Sequence, residues 1–195
     1  AYSSHGVTMI PFFIYYSMFG FQRIGDLIGA AGDMRAKGFL LGGTAGRTTL
    51  AGEGLQHQDG NSHLYALAYP TVQAYDPCYA YEMAAIVLDG IRRMYYEDES
   101  IFYYITLMNE NYEMPPLPMD PPQPIPVSEA ITRGMYKLSI RDLGPKAPKV
   151  QLFGSGAILR EVLRAQDILE KDFGVSSTVY SVTSYKALYD DARDC

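Results

Sequence analysis

Apolar residues run almost without interruption from Met9 to Tyr16 (MIPFFIYY), the pattern of a strand buried on both faces, as in a parallel sheet. Phe19, Ile24, Leu27, Ile28 and Ala31 then lay an apolar stripe along a helix that ends near Gly32 and Met34. GFLLGG (Gly38 to Gly43) predicts a second short buried strand, which runs into the glycine-rich text TAGRTTLAGEGLQHQDGNSH. TVQAY (Thr71 to Tyr75) predicts a strand, and Asp76 before Pro77 is a helix start signal, because Asp caps and Pro suits the first turn. Met83, Ile86, Val87, Ile91 and Met94 stripe that helix, and IFYYITL (Ile101 to Leu107) is another buried strand. This alternation predicts the α/β class, a parallel sheet flanked by helices.

From Glu113 to Val127 the chain is Pro-rich (MPPLPMDPPQPIPV), which excludes a helix or central strand and marks an extended linker between two separate hydrophobic cores. Beyond it, GMYKLSI (Gly134 to Ile140) is a candidate strand, and KVQLFGSGAILREVLRAQDILEKDFGVSSTVYSV reads as strand, GSG turn, helix and strand, one βαβ repeat of an incomplete second α/β domain. The boundaries expected are residues 1–112, a linker at 113–128, and 129–195. The opening AYSSHGVTM and the stop at Cys195, directly after a helical pattern, read as the ends of a fragment.

Composition narrows the function classes. With 48% hydrophobic residues the chain can build a real core. A net charge of -6, with 16 basic residues scattered among 22 acidic ones, argues against a nucleic-acid partner. The longest apolar run is broken by Pro11 and falls short of the roughly 20 residues a membrane helix needs, so no membrane partner is expected. Two cysteines, Cys78 and Cys195, give neither a disulfide framework nor a metal-type pair, and a cytoplasmic setting is the default.

Several motifs invite chemistry. The GSG of Gly154 to Gly156 sits where a dinucleotide fingerprint would, but Leu159 stands in place of its last glycine, so a plain strand-to-helix turn is favoured. GGTAGRTT (Gly42 to Thr49) lacks the Gly-Lys-Ser/Thr ending of a phosphate loop. His57, Asp59 and His63 are metal-ligand types at a spacing that matches no standard site. By itself a His in such a loop serves structure as readily as catalysis. Glu53 and His57, four apart, could share one face of a helical turn and present an acid and a base to one pocket at the C-terminal ends of the strands. Tyr15, Tyr16, Phe19 and Phe21 read as core aromatics, although a flat cofactor ring also needs a rigid aromatic to stack on.

The strings PFFIYYSMFGFQRIGDL, AKGFLLGGTAGRTTLAGEGLQHQDGNSH, YDPCYAYE and YYITLMNENYEMP resemble the pyrimidine-binding domain of the homodimeric pyruvate dehydrogenase decarboxylating subunits, in the transketolase-like superfamily. QLFGSGAILREVLRAQDILEKDFGVSSTVYSVTSY is similar to the start of that family's C-terminal domain, so the resemblance covers essentially the whole chain. It implies thiamine diphosphate and magnesium as cofactors, with the diphosphate and magnesium site outside this segment. It also implies pyruvate as substrate, a lipoylated dihydrolipoyl acetyltransferase as acetyl acceptor, and a homodimer. Position by position, Phe19 matches the aromatic against the aminopyrimidine, with Arg23 beside it, while Tyr16, Glu53 and His57 match residues around the substrate. Glu53 is not the glutamate that activates the aminopyrimidine, which in the family lies upstream of position 1. Gly29 stands where the family often carries a large aromatic, and Asn61 where it often carries His. Two alternatives stand beside this reading: a ketol-transferring enzyme of the transketolase type, and a domain fragment that acts only in dimerisation. The fragment alone is expected to be inactive.

Overall fold

The computed structural model describes residues 5–45, 54–118 and 124–194. Four strands, β1 (Phe12–Tyr16), β2 (Phe39–Gly43), β3 (Val72–Tyr75) and β4 (Phe102–Thr106), form a sheet of order β1-β2-β4-β3 in which every pairing is parallel. The central β4 is buried at all five positions, as its continuous apolar text requires. β1 departs from the expectation of burial on both faces. It is an edge strand, and Phe13 and Ile14 are 56% and 67% exposed. An apolar run specifies a strand, but burial also needs neighbours on both sides, and among the described residues only β2 pairs with β1.

Helix α1 (Phe21–Asp33) buries Phe21 and Ile28 and leaves Leu27 exposed. Within the glycine-rich text lie a 3-10 turn, Leu55–His57, and a short helix α2, Ser62–Ala66. Helix α3 (Ala80–Ile91) continues into a π-helical turn, Arg92–Tyr96, and buries Ile86 and Met94. The start signal read at Asp76 is corrected: α3 begins at Ala80, and the N–H groups of Cys78 and Tyr79 donate to Glu82 instead. Asp76 ends up at the tip of β3, accepting the hydroxyls of Thr106 and Ser155.

Residues 113–118 and 124–126 carry no helix or strand, and α4 (Val127–Thr132) starts at the last position of the Pro-rich stretch. The expectation of two separate cores is also corrected. Val127, Ala130, Ile131 and Tyr136 join the core built by Phe21, Phe39, Ile86 and Tyr104, and a smaller cluster joins Cys78 and Tyr79 to Leu159 and Val179. Proline extends the chain locally but does not decide which apolar faces meet afterwards.

The second sheet has the order β5-β7-β6, from β5 (Met135–Arg141), β6 (Lys149–Gly154) and β7 (Ser176–Val182). β6, α5 (Ile158–Phe173) and β7 make the βαβ unit read from the sequence, while β5 pairs antiparallel with β7, so this sheet is mixed. α6 (Tyr185–Asp194) follows. The GSG turn is a docking turn: Gly156, at a φ of 50°, donates its N–H to the Asp76 carbonyl, and a Cβ there would sit 2.6 Å from the Asp76 carboxylate. Among the described residues no helix is long and apolar enough to cross a membrane.

Candidate active site

Parallel pairing places the C-terminal ends of β1 to β4 at one edge, where open α/β sheets bind ligands. At the end of β1 the chain turns tightly through Ser17–Phe19 into α1, which brings Phe19 back beside Tyr16. The turn Leu55–His57 packs against it. The His57 ring lies 5.1 Å from that of Tyr16 and 5.3 Å from that of Phe19, at interplanar angles of 77° and 66°. Tyr16 and Phe19 are 6.1 Å apart, so three rings meet edge to face, a geometry aromatic quadrupoles favour. Arg23, in the first turn of α1, sets its guanidinium 4.3 Å from the centre of the Phe19 ring, within cation–π range.

Tyr16, Phe19, Arg23 and His57 are therefore brought together. Glu53 lies outside the described residues, and so do Gly46 to Thr49, the second half of the text that suggested a phosphate loop. Tyr16 is exposed and His57 half-buried, yet the His57 Nδ1 is buried and has no hydrogen-bond partner among the described residues. A buried polar atom left so costs about 1–3 kcal/mol, which marks it as a place where a partner belongs.

Beneath the rings lies a polar network the sequence did not reveal. Asp59, 3% exposed, accepts the hydroxyls of Ser17 and Tyr104 and the N–H groups of Asn61 and Ser62. Burial pushes its carboxyl up, but the bonds from Ser17, Ser62 and Asn61 outweigh burial and hold it below the usual range. Burial, and then the Asp59 charge, push the Tyr104 phenol well up. The sequence signal for this cluster is an Asp two residues after His57, a residue type that also suits a metal. Among the described residues no group of three or more His, Cys, Asp or Glu side chains is placed to hold a metal ion, and His57, Asp59 and His63 form no such group. His63 packs instead on Tyr104, at 5.3 Å between rings. Cys78 is a buried free thiol, pushed up to about 12 by burial and then by Glu82, which makes it a poor nucleophile.

Comparison with known proteins gives the site a lineage. The family model described as "Pyruvate dehydrogenase E1 component middle domain" matches residues 1–115, and one described as "Transketolase-like TK C-terminal domain" matches residues 134–194. The chain is 57% identical over its whole length to the pyruvate dehydrogenase E1 component of Escherichia coli K12, and 54% identical to that of Cupriavidus necator. It spans 21% of the length of each. Among solved structures, transketolase from Campylobacter jejuni superposes with a TM-score of 0.71 at 18% identity, over 93% of this chain and 26% of that one. That likeness establishes a transketolase-like fold. The match over residues 1–115, more than half the chain, places it by sequence: the chain belongs to the family of the pyruvate dehydrogenase E1 component middle domain.

Proposed function

We propose that this chain is part of a thiamine-diphosphate-dependent pyruvate dehydrogenase component, a homodimer that decarboxylates pyruvate and hands the acetyl group to the lipoyl group of a partner acyltransferase in the cytoplasm. Residues 1–112 would be part of its pyrimidine-binding domain, 113–128 the connecting segment and 129–195 the start of the C-terminal domain. The observation that carries the reading is the meeting of Tyr16, Phe19 and His57 at the C-terminal edge of the parallel sheet.

The residues present fit a flat heteroaromatic cofactor. Phe19 offers a rigid ring backed by Arg23, and the unsatisfied Nδ1 of His57 is next to it. When bound, thiamine diphosphate would supply the nucleophilic carbon and the electron sink that decarboxylation of pyruvate needs. In this reading Phe19 and Arg23 hold the aminopyrimidine in place. The half-buried His57 imidazole would hydrogen-bond an oxygen of the substrate, and if it also moves a proton there it would contribute on the order of 10²–10⁴-fold. The Tyr16 hydroxyl would donate to the same region, and Glu53 is assigned a part in the same chemistry by the family resemblance alone. The diphosphate and magnesium are held by residues outside this segment.

The reading is tested by assaying the full-length enzyme with pyruvate, a lipoyl acceptor and the cofactors, beside a ketose phosphate with an aldose acceptor. Acetyl transfer to lipoyl is expected. Phe19→Ala should weaken cofactor binding by about tenfold, the worth of a lost aromatic contact. Ketol transfer in place of acetyl transfer, or unchanged cofactor affinity in Phe19→Ala, contradicts it.

A further inference from the structure

Two turns carry the candidate site, and they come from distant parts of the chain: Ser17–Phe19 at the end of β1 and Leu55–His57 in the glycine-rich text. The rings they bear touch edge to face, and such contacts are individually weak. Ring contact alone therefore does not fix where the imidazole points.

We propose that Asp59 is a positioning residue that locks these two turns in register and thereby sets where His57 stands relative to Tyr16 and Phe19. The inference rests on the functional reading above. Asp59 follows His57 by two residues, so its anchorage leaves the His57 backbone a tether of two peptide units. Each carboxylate oxygen is held from a different element. Oδ1 accepts the N–H groups of Asn61 at 3.1 Å and Ser62 at 3.0 Å, at the start of α2. Oδ2 accepts the Ser17 hydroxyl and, at 3.4 Å, that of Tyr104 in the fully buried strand β4.

The Ser62 hydroxyl closes the loop by donating to the Ser17 carbonyl at 3.2 Å, and the hydroxyls of Ser17 and Tyr104 are 2.6 Å apart. The turn that carries Phe19, the segment that follows His57 and the centre of the sheet thus share one carboxylate. Because Asp59 is buried, it acts through the residues it holds and not on the substrate. Misplacing a reacting group by about 1 Å can cost on the order of 10²-fold in rate, which sets the size of effect to look for.

The test is a double-mutant cycle in the full-length enzyme, read as kcat for pyruvate and as affinity for thiamine diphosphate. Asp59→Ala should lower kcat by about 30- to 100-fold while shifting cofactor affinity by less than about threefold. Asp59→Asn should restore kcat to within about fivefold of the parent, because its amide oxygen can accept both N–H groups while its NH₂ donates to Ser17. In a His57→Ala background the Asp59→Ala loss should shrink below about threefold, since a positioning residue has nothing left to position. A loss that persists in full in that background, unchanged kcat in Asp59→Ala, or no recovery in Asp59→Asn overturns the inference. If Asp59→Ala does not fold, Ser17→Ala is read in the same cycle, with a loss of about tenfold expected that vanishes without His57. An unchanged or independent effect of Ser17→Ala then overturns the inference. Should His57→Ala itself leave turnover intact, the functional reading has failed and the inference falls with it.

Discussion

Asp59 and Glu82 are both buried carboxylates, and their pKa values move in opposite directions. Glu82 is 0% exposed and accepts four hydrogen bonds, from the N–H groups of Cys78 and Tyr79 and the hydroxyls of Tyr136 and Ser181. Burial is its largest influence and raises its pKa above the ordinary 4.5, while for Asp59 the hydrogen bonds win and lower it below 3.8. The consequences for stability differ in sign. Asp59 contributes stability that is present above pH 3.8 and lost as pH falls through its folded value; that of Glu82 is complete below pH 4.5 and lost as pH rises through its folded value. Melting curves of the purified chain should therefore show the advantage of the parent over Asp59→Asn growing from about pH 3 to pH 5, and that over Glu82→Gln shrinking above about pH 5. Flat differences across both ranges would contradict the assignment. Neither network was legible beforehand, because a buried carboxylate is defined by donors such as Ser17 and Ser181 that lie far away in sequence. The rings were legible only through the family resemblance, carried by PFFIYYSMFGFQRIGDL as well as by the text around His57, since Tyr16 and Phe19 read by themselves as core aromatics.

Among the elements, those with sustained periodicity or a continuous apolar run, α1, α3, β2, β4 and the βαβ unit, were readable from sequence. The turn Leu55–His57 and α2 were not, because three and five residues are too short to show a period. Asp76-Pro77 misled for a physical reason: Glu82, three residues beyond the cap, satisfies the free N–H groups from inside the helix and frees Asp76 to hold the GSG turn. β1 carries the clearest consequence. Its edge and the exposed Phe12, Phe13 and Ile14 form a surface suited to strand addition, so the purified chain should self-associate at micromolar concentration. Ile14→Lys should shift it towards monomer with a change in stability within about 0.5 kcal/mol, the usual range for exposed positions. Sedimentation of both proteins, with thermal melts, checks this. Equal association, or a large loss of stability, would argue against an exposed edge.

At the scale of the whole molecule, the core runs across the Pro-rich stretch through Val127, Ile131 and Tyr136, and Glu82 and Asp76 each bind a residue of the second unit, Ser181 and Ser155. The candidate site thus sits on a sheet braced by the second unit. The chain spans a fifth of its E1 relatives, at 21% of their length, and the proposed diphosphate and magnesium partners lie elsewhere, so the chain alone should bind thiamine diphosphate weakly and turn over no pyruvate. Calorimetric titration showing micromolar affinity would contradict that. On the proposed reading Phe19 holds the cofactor, and Tyr16 and His57 beside it face the substrate end of a thiamine diphosphate site. The most direct test of that reading is pyruvate-dependent acetyl transfer by the full-length His57→Ala enzyme, measured beside its affinity for the cofactor. Transfer should fall by on the order of 10²-fold or more, with cofactor affinity within about threefold of the parent. Unchanged transfer, or a loss explained wholly by weaker cofactor binding, would contradict it.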